Sequence, residues 1–185
     1  MKLGPRAKLL LLASLFLLPI AGSMVAYLSH PEPTANYGEL LLPPFAITSH
    51  SFGRENGGGF EFSQMQGRWI MVASDSGACP AACVDKLTAM RQVRLALGRN
   101  AARVERVFVV DDRVAPDRAA LAAFEGLAVA VTPAGVTLAP GAGHDRAHIY
   151  LVDPRGNVML RWPAKAEMRR MYRDLERLLK ASQIG

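Results

Sequence analysis

From residue 68 onward, short apolar runs alternate with helix-period segments, and that alternation limits the folds open to this chain. "RWIMVAS" (68–74) reads as a buried strand. "CPAACVDKLTAMRQVRLALG" (79–98) reads as a helix: Val84, Leu87, Met90, Val93 and Leu97 recur at spacings of three and four, and Gly98 closes it. "RVERVFVVDD" (103–112) predicts a second buried strand that runs into acidic loop residues. "APDRAALAAFEG" (115–126) is a short helix ended by Gly126, and "LAVAVT" (127–132) is a strand or an extended crossover. "HIYLVD" (148–153) and "NVMLRW" (157–162) flank "PRG" and predict a hairpin. A last helix over 165–181 places Met168, Met171, Tyr172, Leu175, Leu178 and Leu179 on one face.

The order β-α-β-α-β-β-α is a parallel unit followed by an antiparallel pair and a covering helix. It predicts a thioredoxin-like α/β fold, a central mixed sheet flanked by helices, over residues 59–185. Residues 29–58 read as a linker and lead-in: "SHPEPTANYGELLLPPF" (29–45) is Pro-rich, and "GRENGGGF" (53–60) is too glycine-rich for a helix. Upstream, residues 9–28, "LLLLASLFLLPIAGSMVAYL", form 20 positions without a charge. That matches the length of a transmembrane helix. Residues 1–8 are a basic tip expected to stay in the cytoplasm. The expected location is therefore a single-pass anchor in a bacterial inner membrane with the C-terminal domain in the periplasm. A cleaved signal peptide is the competing reading, with Leu9–Ile20 as its apolar core and "AGS" (21–23) as the cleavage site. The continuing apolar residues Met24, Val25, Ala26 and Leu28 favour the uncleaved anchor. Either route exports the domain to a compartment where cysteines can be oxidised.

Charge adds little to this reading. Three of the 22 basic residues, Lys2, Arg6 and Lys8, lie in the tip, and without them the formal charge falls from +6 to +3. No basic cluster interleaves with aromatics, so no nucleic-acid partner is expected. "MRRMYRDLER" (168–177) reads as the solvated face of a helix.

The chemistry concentrates in "SGACPAACVDKL" (76–87), which holds both cysteines of the chain, Cys79 and Cys83. Pro80 suits the first helical position, where its missing N–H costs nothing. That predicts Cys79 as the N-cap and Cys83 one turn later on the same face. Both thiols would then lie at the positive end of the helix dipole, which favours thiolate. Two such thiolates can exchange disulfides or hold a soft ion such as Cu(I). A purely structural bridge closes so short a loop that it contributes only about 2 kcal/mol or less. Cu(I) on two thiolates takes a third ligand, for which His144 and His148 in "GAGHDRAHIYLVD" are the candidates. His30 and His50 fall in the linker, and Met71 and Met90 fall at core positions.

"CPAAC" after an apolar strand, the "RVERVFVVDD" strand, and a His-bearing loop before "HIYLVDPRGNV" together resemble the SCO/SenC family over roughly residues 60–180. The resemblance implies a membrane-anchored thioredoxin-like protein that handles copper or reduces thiols during cytochrome c oxidase assembly. It implies Cys79, Cys83 and His144 as copper ligands, and an oxidase subunit or its assembly factors as partner. The family's histidine stands five residues before the aromatic of the next strand. Five before Tyr150 is Asp145, so His144 requires a loop one residue longer. Two other functions remain open. One is a thiol–disulfide oxidoreductase with Cys79 attacking and Cys83 resolving. The other is a non-catalytic assembly scaffold.

Overall fold

The computed structural model describes residues 4–29, 36–47, 52–54, 58–132, 138, 145–182 and 184. The chain divides into two compact units, Met1–Ala35 and Asn36–Gly185. In the first, Pro5–Ser29 forms one 25-residue helix, α1, with Pro19 inside it. Its Leu9, Leu12, Leu15, Phe16, Leu18 and Val25 side chains are all exposed. Among the described residues no helix meets the length and apolarity required to cross a membrane.

The second unit is built on a mixed sheet in the order β1-β8-β7-β4-β5-β6-β2-β3. Its strands are β1 (Glu39–Ala46), β2 (Phe52–Gly53), β3 (Gly59–Phe60), β4 (Trp69–Asp75), β5 (Val104–Val110), β6 (Ala128–Val131), β7 (His148–Val152) and β8 (Asn157–Pro163). The β4, β5 and β6 strands run parallel, whereas β7 is antiparallel to β4 and pairs with β8 in the hairpin. Helix α2 (Ala81–Ala96) crosses from β4 to β5, a four-residue α3 (Arg118–Leu121) precedes β6, and α4 (Met168–Ala181) follows β8. This is the thioredoxin-like arrangement expected from the alternation.

Period-two alternation sorts the strand residues into two apolar layers. Met71 and Ala73 of β4, Phe108 and Val110 of β5, and Ile149 and Leu151 of β7 pack with Leu87, Met90, Met171 and Leu175 of α2 and α4. Ile70, Val72, Val107, Val109, Tyr150 and Val152 point the other way and meet Phe52, Phe60 and Phe62. Those three phenylalanines pack edge to face, with centroids 5.0 and 5.2 Å apart.

Within the segment read as linker, Glu39–Ala46 forms an edge strand on β8. Pro43 and Pro44 coincide with a break in its register between Leu40 and Phe45. Prolines lack the ladder donor, so an edge position suits them and alternation fails to announce the strand. Asp174, buried in α4, fixes the chain leading into β1. Its carboxylate accepts from the Tyr37 amide at 3.0 Å, the Gly38 amide at 2.8 Å and Trp162 Nε1 at 2.9 Å.

Candidate functional site

Strand β4 ends at Asp75, and α2 begins at Ala81 after five intervening residues. The junction is tight. A Cβ on Gly77 would lie 1.9 Å from the Val114 carbonyl oxygen, so only glycine fits there. Cys79 sits in the left-handed region at φ 41°. Pro80 is extended, at φ −61° and ψ 171°, and is itself the N-cap. The helix therefore starts one residue later than the expected Cys79 cap. The reason is visible in the first turn, where the Pro80 carbonyl accepts from the Cys83 amide at 2.7 Å and the Val84 amide at 3.1 Å. Cys79 thus belongs to the loop and Cys83 to the first helical turn.

The two cysteines form a disulfide, with Cα atoms 5.0 Å apart. Both are buried in the apolar layer beneath α2, Cys79 at 5% exposure and Cys83 at 0%. The expected pair of thiolates is therefore a property of the reduced chain only. Once reduced, Cys83 would lie in the first turn of α2, where the helix dipole favours its thiolate.

A buried charge network braces this junction. The Lys86 ammonium, 1% exposed, meets Asp75 Oδ2 at 2.7 Å and donates to the Ser74 carbonyl at 2.7 Å and the Arg146 carbonyl at 2.9 Å. Ser74 Oγ donates to Asp111 Oδ2 at 2.7 Å. The Arg146 guanidinium bridges Asp111 at 2.5 Å and Asp112 at 3.3 Å. Asp112 Oδ1 accepts from the Gly77 and Val114 amides at 3.1 and 3.0 Å. Three separate segments are thereby tied at the C-terminal edge of the parallel strands: the cysteine loop, the turn after β5, and the turn at 145–147 before β7.

The electrostatics follow from these contacts. Burial alone would raise the Asp112 carboxyl, but hydrogen bonds from Ser76, Gly77 and Val114, together with nearby Arg146, hold it below the usual carboxylate range. Arg146 is pushed above its ordinary value, chiefly by its hydrogen bond to Asp111. None of these residues was singled out in the sequence. One signal was available for Lys86. It lies three residues after Cys83 and next to Leu87, so it falls on the helix face that the apolar spacing assigns to the core.

His144 lies outside the described residues. His148 opens β7, and its ring centroid is 5.9 Å from that of Tyr150. Residues two apart on a strand share a face, and Tyr150 belongs to the layer turned away from α2. The fold therefore does not bring His148 to the cysteines. Asp145, at the position counted five before the aromatic, is likewise turned elsewhere. It accepts from the Tyr150 hydroxyl at 3.1 Å and the Leu138 amide at 2.6 Å. Burial, then the Asp145 charge, raises the Tyr150 pKa and keeps the hydroxyl a donor. Among the described residues no group of three or more His, Cys, Asp and Glu side chains is arranged to hold a metal.

Residues 69–182, from β4 to the end of α4, match a family model described as the transmembrane-like, thioredoxin-like, C-terminal domain. The chain belongs to this family. Solved structures with the same fold include apo Sco1 from Thermus thermophilus, at 21% identity and a TM-score of 0.62, covering 80% of this chain and 99% of that one. Copper-bound yeast Sco1 aligns at 14% identity and a TM-score of 0.61, over 72% of this chain and 91% of its own. Copper-bound ScoI from Bradyrhizobium japonicum aligns at 20% identity and a TM-score of 0.53, over 69% and 96%. No curated protein matches the chain in sequence. At these identities the likeness is one of fold, and at that level the SCO/SenC resemblance holds for this thioredoxin-like family member.

Proposed function

We propose that this protein handles Cu(I) during cytochrome c oxidase assembly, through the reduced Cys79–Cys83 pair. The carrying observation is the placement of both sulfurs at one strand–helix junction, in a fold shared with copper-bound Sco1 structures. Copper is the cargo, and the donor set suits it: two soft thiolates in a largely apolar surround favour a monovalent soft ion. The disulfide is then the form unable to carry copper, so reduction gates loading. His144 is the proposed third ligand and Asp145 is not, because its carboxylate is committed to Tyr150 and Leu138. Residues 9–28 are proposed as the anchor, with the domain periplasmic, on the strength of the 20 uncharged positions and the helix Pro5–Ser29.

A titration of the reduced, anaerobic chain with Cu(I) tests this reading. It expects one copper per chain, lost in Cys83→Ser and weakened in His144→Ala. Absence of binding to the reduced chain sinks it, and wild-type affinity in His144→Ala removes the third ligand.

The disulfide itself favours a second reading, in which the pair exchanges electrons with the cysteines of an exported oxidase subunit or apocytochrome. A reduction potential in the range of known exchange proteins supports that function. A value below about −300 mV would mark an inert bridge.

A further inference from the structure

A second buried cation among the described residues lies away from the disulfide and has fewer partners there than Lys86. On β5 the residues facing α2 are Val104, Arg106, Phe108 and Val110, so one arginine interrupts an otherwise apolar row. Arg106 is 4% exposed. Its Nη2 donates to the Glu125 carbonyl at 2.5 Å, but Nε and Nη1 are buried with no partner among the described residues. Those two nitrogens carry three N–H donors. A buried charge with unmet donors is costly unless something pairs with it.

Arg106 lines a cavity of about 300 Å³ with Arg91, Arg94, Leu95, Glu125 and Gly126. Arg91 and Arg94 are three apart on α2, so they share a helix face over this cavity. Arg94 is partly held, with Nε donating to the Val104 carbonyl at 2.7 Å. Arg91 is exposed at the rim. Burial first, then Arg94 and Arg91, lower the Arg106 pKa, with only Glu105 opposing. Glu105 sits on the other face of β5 and is paired with Arg68. At 1.5 Å of rise per residue, Arg91 stands about 12 Å along α2 from Cys83. The cavity is therefore separate from the cysteine site.

We propose that Arg91, Arg94 and Arg106 form a binding site for a multivalent oxyanion of the phosphate type, carried either free or on a lipid headgroup. Three arginines against the single acidic residue Glu125 leave the lining of this space net positive, which suits such an anion in charge and size.

Calorimetric titration of the full chain in neutral detergent tests the site, with two probes at constant ionic strength. One is inorganic phosphate, and the other is a short-chain phosphatidylglycerol below its micellar concentration. Saturable binding of one phosphate per chain identifies a free anion, and binding of the lipid alone identifies a headgroup. In either case affinity should fall about tenfold or more in Arg106→Met and in Arg91→Gln. The bound probe should also raise the wild-type melting temperature and leave that of Arg106→Met unmoved. Because Arg91 is exposed, Arg91→Gln keeps the test decisive should Arg106→Met misfold. Binding of neither probe, or unchanged affinity in Arg91→Gln, overturns the proposal.

Discussion

Near the N-terminal end of α2 the buried Lys86 ammonium has three oxygen partners, Asp75 Oδ2, Ser74 O and Arg146 O. Toward the other end, among the described residues, the buried Arg106 guanidinium has one, the Glu125 carbonyl, and two nitrogens with none. Lys86 is carried by α2 itself and Arg106 by the β5 strand packed against it, both in one small domain. The first is compensated by the protein alone and works as a brace. The second is left incomplete by the protein, which is the condition expected of a group that meets a ligand. The lesson is that burial of a charge does not by itself mark a binding site; what separates brace from site is whether its donors are already matched.

Lys86→Met should give the largest effect. It leaves the buried Asp75 carboxylate with only the Ser76 amide at 2.9 Å and the Arg146 guanidinium at 3.9 Å, and breaking such a buried pair costs about 3–5 kcal/mol. Urea unfolding of the oxidised chain measures it. A loss below about 1 kcal/mol would erase the distinction from Arg106. The double variant Asp75→Leu/Lys86→Met should recover most of the loss, since it removes both charges together.

Arg106→Met should act with the opposite sign or not at all. Its one carbonyl bond is given up, but two unmet buried nitrogens are removed, so stability should hold within about 1 kcal/mol or rise. A loss comparable with that of Lys86→Met would show that the guanidinium is a structural group after all.

The smallest effect is the acid dependence of the brace. The folded-state pKa of Asp112 lies below its unfolded value, so its contribution is fully present above about pH 4, the unfolded pKa of an aspartate. It is lost as pH falls through the folded pKa. Asp112→Asn should therefore lower stability slightly near neutrality, where the contribution is present, and flatten the profile below about pH 4, where the wild type loses it. An unaltered acid limb would mean that Asp112 does not couple the Gly77 loop to Arg146.

Much of the architecture was legible because strand and helix periods differ. Met71 and Phe108 alternate with Val72 and Val107, while Leu87, Met90 and Val93 recur every three or four. The cysteine junction was legible too, since Pro80 marks a helix start. Its one-residue offset was not: whether proline is the cap or the first helical residue depends on ψ, which composition does not encode. Lys86, Asp75 and Arg146 are hidden because a charged residue ordinarily reads as surface, and because Arg146 reaches Lys86 across 60 positions of chain. Arg106 was hidden in the same way, inside a run of valines that predicts only a strand. Asp145 was found by counting, but its commitment to Tyr150 required the fold.

The central claim is that one pair of sulfurs is a disulfide in one state and a Cu(I) site in the other. Copper bound per chain, measured anaerobically across a series of thiol–disulfide buffers, tests it most directly. The account predicts that bound Cu(I) rises in step with the fraction of chains having both Cys79 and Cys83 free, reaching one per chain at full reduction and none at full oxidation. Copper bound equally by the oxidised chain, or none bound by the fully reduced one, would contradict it.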